Sequence, residues 1–144
     1  MGDTVRLIFP ATAEALNIAE DIFEVVARNV TPDLRKAYCI RTALSEAYSN
    51  AFLYGRNAGE DAEIEFGMCF KGDKFSATII NDGPGFAEYQ IKSESFEAVM
   101  EESGRGLQIM KRFCDKLTFK RDDNDKFEVH MEFDLTTPAV KTHK

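Results

Sequence analysis

The stretch NDGPGF, residues 81–86, closes the apolar run FSATII of residues 75–80. A strand ends there, and Gly83 and Gly85 follow with Pro84 between them. A chain that only has to turn manages with one glycine after Asn or Asp. Two glycines flanking a proline leave a backbone with no side chain in the way, which suits close approach of a ligand. The plainer alternative is a turn that ends the strand, so the neighbouring segments have to decide.

Upstream, AEIEFGMCFK (62–71) alternates at Ile64, Phe66, Met68 and Phe70, Gly72-Asp73 turns the chain, and KFSATII (74–80) returns. That pattern predicts a β-hairpin. TVRLIFP (4–10) alternates at Val5, Leu7 and Phe9 and reads as a strand closed by Pro10. From Ala13 to Asn29 the apolar positions Leu16, Ala19, Ile22 or Phe23, and Val26 keep a helical period. TPD (31–33) reads as a helix start, with Thr31 as N-cap and Pro32 in the first turn. A second helix then runs from about Leu34 to Tyr54, stopped by Gly55.

Downstream, residues 87–103 are polar and weakly periodic, a long connection of the kind that serves as a lid. GRGLQIMKRFCDKL (104–117) reads as a helix beginning at its glycines, with Leu107, Met110 or Ile109, and Phe113 or Cys114 on one face. KLTFKR and KFEVHMEFDL flank DDND (122–125) as a last hairpin; that tetrad lacks the glycine and terminal glutamate of a calcium loop. The order β, α, α, ββ, connection, α, ββ predicts an α+β two-layer sandwich. One mixed, mostly antiparallel sheet would carry helices on one face. No repeat or linker divides residues 1–144, so one domain is expected, with a polar tail from about residue 136.

A hydrophobic fraction of 44% with 30% charged residues is that of a globular domain. The net charge of −7 argues against direct nucleic-acid binding, which needs a basic face, but leaves a nucleotide open. Cys39, Cys69 and Cys114 are odd in number and far apart, which predicts buried reduced thiols and no zinc site. No apolar stretch reaches membrane-spanning length, and MGDTVRLIFP is too polar for a signal peptide. The expected location is the cytoplasm, with no membrane partner.

Three segments can carry chemistry. In EAYSN (46–50), Glu46 and Asn50 are four apart and share one helix face. An amide oxygen is a fair Mg²⁺ ligand and a carboxylate a possible general base; a solvated surface pair is the competing reading. NDGPGF is the second segment. In SGRGLQI (103–109), Gly104 and Gly106 open a helix whose first N–H groups make an anion site, against the alternative of a hinge. Neither glycine pair completes a dinucleotide fingerprint, and there is no Walker A sequence.

In this order and spacing, E-x-x-x-N-A, x-x-G-x-G-F and G-x-G-L-x-I resemble the nucleotide-binding elements of the GHKL ATPase superfamily, which includes gyrase and the histidine kinases. The short length and ESGRGLQIMKRFCDKL (102–117) resemble the anti-sigma-factor serine kinases within it, and the resemblance covers about the whole chain. It implies ATP and Mg²⁺ as cofactors. Glu46 would be the catalytic base and Asn50, followed by Ala51, would ligate the metal. Gly83 and Gly85 would approach the adenine, while Gly104, Arg105, Gly106 and Leu107 would lie at the phosphates. The family's adenine-contacting Asp aligns with Asn81, not with Asp82, which should point to the opposite side of the strand. An asparagine can still pair with an adenine edge, without the charge assistance. The resemblance further implies a sigma factor and a small anti-sigma antagonist as partners, and a homodimer. Two other readings stay open: a non-catalytic partner-binding regulator of the same fold, and the detached ATPase domain of a histidine kinase. His130 and His143 sit outside any helical phospho-acceptor segment, which argues against self-phosphorylation on histidine.

Overall fold

A computed structural model describes residues 3–55, 61–82, 105–121 and 126–136. The proposed lid (87–103), Gly83, Gly85, Gly104 and the DDND turn lie outside the described residues. The elements are β1 (Asp3–Pro10), α1 (Ala13–Val30), α2 (Leu34–Gly55), β2 (Glu63–Lys71), β3 (Lys74–Asp82), α3 (Arg105–Phe113), β4 (Lys116–Arg121) and β5 (Lys126–Asp134). The strands form one five-stranded sheet in the order β1-β2-β3-β5-β4, and every pairing is antiparallel. The expected sandwich is present, with its sheet antiparallel throughout the described residues. The β2–β3 hairpin accounts for part of this, because a tight turn can only join antiparallel strands. Gly72 makes the β2–β3 turn at a φ of +60°, the left-handed conformation that favours glycine.

The sheet's two faces differ as the alternation predicts. Ile64, Phe66 and Met68 of β2, Phe75, Ala77 and Ile79 of β3, and Phe127, Val129, Met131 and Phe133 of β5 are buried under the helices, while their neighbours are more open. Ala43, Ala47 and Ala51 of α2 are buried as well, so the small residues flanking Glu46 and Asn50 let α2 pack closely into the core. Phe23 joins α1 to the sheet by an edge contact with Phe66 at 5.0 Å and to α2 through Tyr48 at 5.6 Å.

Local signals decide the helix ends. Thr12 caps α1 by accepting from the Ala15 N–H at 3.2 Å. At α2 the cap is Asp33, whose Oδ1 accepts from the N–H groups of Arg35 (3.0 Å) and Lys36 (3.3 Å). The expected cap, Thr31, lies two residues earlier and bonds the Asp33 N–H at 3.1 Å, and Pro32 stands outside the helix. The carboxylate wins because it reaches two orphan donors where the hydroxyl reaches none of the helix. α3 stops at Phe113, and Leu117 belongs to β4, so the predicted helix of 104–117 is shorter at its C-terminal end. Cys39 is buried as expected, whereas Cys69 and Cys114 are only partly so; all three are free thiols. Among the described residues no helix is long and apolar enough to cross a membrane, and no cluster of His, Cys, Asp and Glu could hold a metal ion.

Tyr48 is the largest fully buried side chain, and its hydroxyl has no hydrogen-bond partner among the described residues. Burial, with the nearby Glu20 carboxylate, pushes its pKa up to about 12. Between pH 10 and 12 the unfolded phenol has lost its proton while the folded one keeps it, so stability falls as pH rises through that window. Tyr48→Phe should remove this alkaline loss and leave stability at pH 7 unchanged or higher by up to ~1 kcal/mol. Urea titrations at pH 7 and above pH 10 check it; equal alkaline losses in both proteins would contradict it.

Candidate functional site

α2 and α3 pack side by side, and their contact builds the site. On α2, Glu46 and Asn50 are four residues apart, which stacks them one turn apart on one face. Both are partly buried, unlike the solvated surface pair that was the competing reading. The residue facing them is Gly106, in the first turn of α3. A Cβ built on Gly106 would stand 2.9 Å from Glu46 Oε1 and 3.6 Å from Asn50 Nδ2. The glycine is therefore what admits the carboxylate to the start of α3. Leu107 and Met110 are fully buried and seat α3 in the core, and so hold Gly106 in place. Arg105 is the first residue of α3.

The N-terminus of α3 supplies N–H groups that have no partner within the helix and the positive end of a helix dipole. The Glu46 carboxylate and the Asn50 amide stand beside it, with Nδ2 the amide atom turned toward Gly106. An anion at the helix start and a divalent cation on the amide oxygen are compatible with this donor set. The arrangement fits a phosphate ester with Mg²⁺ better than a bare anion, because Glu46 would repel an unscreened one.

Asn81, near the end of β3, is 2% exposed and belongs to the series Phe75, Ala77, Ile79 that faces the helices. Its amide Nδ2 donates to the Asp82 carbonyl at 2.7 Å. Asp82 points the other way, as strand geometry requires. Its carboxylate pairs with Lys126 of β5 and accepts from the Glu63 N–H of β2 at 3.4 Å. Asp82 is thus a tie at the end of the sheet. Strand alternation keeps it off the adenine side, but its role as a tie has no local signal: an acidic residue opposite Lys126 becomes visible only once the β3–β5 register is known.

Among the sequence-proposed residues, the structure brings Glu46, Asn50 and Gly106 into one cluster. It places Ala51 in the core under α2, Leu107 in the core under α3, and Asn81 on the helix-covered side of the sheet. The contact of Gly106 with Glu46 has no local signal in the sequence, since no spacing rule links positions sixty residues apart. Cys39 and Cys114 add nothing nucleophilic: burial pushes both thiols up, away from the reactive thiolate.

Comparison with known proteins finds relatives along nearly the whole chain. The chain is 25% identical over 140 residues to an anti-sigma F factor of Clostridium perfringens, covering 95% of this chain and 100% of that one. It is 23% identical over 140 residues to an anti-sigma F factor of Shouchella clausii, covering 95% and 96%. With one from a Geobacillus species the identity is 22% over 139 residues, covering 94% and 95%. The profile of the histidine kinase-like ATPase domain matches residues 9–133, a span that runs from the end of β1 to β5 and takes in Glu46, Asn50, Asn81 and Gly106. Sheet order, helix placement and this match agree: the chain belongs to the histidine kinase-like ATPase domain family.

Proposed function

We propose that the protein is an anti-sigma regulator that binds Mg-ATP and transfers its γ-phosphoryl group to a serine of a small antagonist protein. The observation that carries the nucleotide site is the close approach of Gly106 to Glu46 and Asn50. Membership of an ATPase domain family implies a nucleotide, and the names of the relatives support a sigma factor as the sequestered partner. In this reading the N–H groups at the start of α3, with Gly104, Arg105, Gly106 and Leu107, cradle the phosphates. Asn50 holds Mg²⁺, which neutralises phosphate charge. Asn81, Gly83 and Gly85 take the adenine, and Ala51 keeps α2 close to the core behind it. Glu46 orients the incoming serine hydroxyl and accepts its proton as the new Oγ–P bond forms and the bond to the ADP oxygen breaks. The working form is a homodimer in the cytoplasm.

A second reading has one observation in its favour. One N–H of the Asn81 amide is committed to the Asp82 carbonyl, which leaves less of that side chain for adenine. A regulator that sequesters its partner without catalysis would tolerate that.

Calorimetry with ATP in the presence and absence of Mg²⁺ separates the two. Binding should produce heat and raise the melting temperature, and Asn50→Ala should lose the Mg²⁺ dependence. If saturating Mg-ATP gives neither heat nor a melting shift, the nucleotide reading fails and the non-catalytic one gains. Label transferred to a partner as acid-labile phosphohistidine would instead favour a detached histidine-kinase domain.

A further inference from the structure

Away from this site, the C-terminal half of α1 and the first turns of α2 enclose a cleft of about 290 Å³. Two large apolar side chains stand at it: Leu34, 78% exposed, and Tyr38, 56% exposed. They are four residues apart on α2 and so share one face. Tyr38 is exposed yet fixed. Its ring meets Phe113 of α3 edge-on at 6.0 Å, and the Arg41 guanidinium lies over it at 5.5 Å. An exposed aromatic whose rotamer is already set loses little entropy on binding, and Tyr and Arg are, with Trp, the residues enriched at interface hot spots.

Around this pair three arginines stand against the two carboxylates of Glu24 and Asp33. Arg28 and Arg41 line the cleft, and Arg35 is exposed next to Leu34. The acidic side chain lining the cleft is Glu24, which meets one nitrogen of each arginine, Arg28 Nη1 at 3.6 Å and Arg41 Nε at 3.2 Å. Asp33 nearby caps the helix and keeps its negative charge. A protein of net charge −7 thus has a small local excess of positive charge around its exposed Leu34 and Tyr38.

We propose that this cleft docks an acidic amphipathic helix of a partner protein. An aliphatic side chain of that helix fills the space between Leu34 and Tyr38, and its flanking carboxylates meet Arg28 and Arg41. A helix laid in a groove with apolar anchors one turn apart is an established recognition mode, and the arginine rim matches carboxylates in sign and geometry. The surface stands independently of the nucleotide reading, since none of its residues belongs to that site.

The test uses the whole chain and a fluorescent peptide of about four turns, leucine on one face and glutamate elsewhere. The same peptide with lysine for glutamate and a single-stranded oligothymidine are the controls. Anisotropy should show saturable binding of the glutamate peptide, at least tenfold weaker binding of the lysine peptide, and at least tenfold loss in Arg28→Glu/Arg41→Glu. Leu34→Asp provides a second variant at a side chain too exposed to matter for folding, and should lose as much. Lys120→Glu on β4, a charge reversal elsewhere, should bind as wild type. No binding of the glutamate peptide at about 1 mM, or unchanged binding in both cleft variants, overturns the proposal. So does tighter binding of the oligonucleotide that the same variants abolish, which would assign the cleft to nucleic acid. Self-association of the wild type that both variants abolish would assign it to a second copy.

Discussion

Glu46→Gln should still bind Mg-ATP and its protein partners, yet transfer phosphate at least ~100-fold more slowly. The substitution keeps the side chain's length and its place beside Gly106, and removes only the group that can accept a hydroxyl proton. Since Glu46 Oε1 would lie 2.9 Å from a Cβ at position 106, the side chain sits against the start of α3, where the phosphates are proposed to lie. The amide that replaces it can hydrogen-bond but cannot take the proton. Measuring transfer needs the antagonist protein, with acid-stable label on its serine as the readout and calorimetry as the control for binding. Undiminished transfer would remove Glu46 from the chemistry. Lost nucleotide binding would instead make it a binding group.

The second large effect is expected at Gly106. It is helical, so its backbone does not require glycine; the space does. In Gly106→Ala the methyl would overlap Glu46 Oε1, the far end of a flexible side chain, and the carboxylate would swing aside. That displacement costs the fold little, about the ~0.5–1.5 kcal/mol of an off-rotamer side chain. It moves the proposed base, however, and a displacement of about 1 Å in a reacting group can lower a rate ~100-fold. Transfer by Gly106→Ala should therefore fall by ~10- to 100-fold with little change in melting temperature. Gly106→Val, whose branches also reach toward Asn50, should lose nucleotide binding as well. A Gly106→Val protein that binds Mg-ATP as wild type would show that the α2–α3 contact is packing alone. A Gly106→Ala protein that melts far below wild type would show a role in folding.

These two variants bear on different layers of what the sequence discloses. Glu46 and Asn50 were legible as a pair because four-residue spacing on a helix is a local rule that needs no tertiary information. Gly106 was legible as part of a helix start because two glycines open the run GRGLQIM. That the glycine faces the carboxylate depends on how α3 lies on α2, and side-chain packing sets that through Leu107 and Met110. Asn81 shows both layers at once. Strand alternation placed it on the face opposite Asp82, but its bond to the Asp82 carbonyl, and the tie from Asp82 to Lys126, follow from local geometry and strand register that composition does not encode.

The helix ends divide in the same way. Thr31 and Asp33 are both good caps by residue type, and Pro32, which suits a first turn, favours Thr31 on sequence alone. The structure chooses Asp33 because α2 begins at Leu34, which puts that carboxylate within reach of two orphan N–H groups. Strand alternation, hairpin turns and helical period depend on neighbours within a few residues, so the sequence by itself determined the elements, their order and the layered fold. Sheet order, the meeting of Glu46, Asn50 and Gly106, and the cleft at Leu34 and Tyr38 bring together residues far apart in the chain. Only the tertiary structure decided these, because they depend on which surfaces the core must bury together.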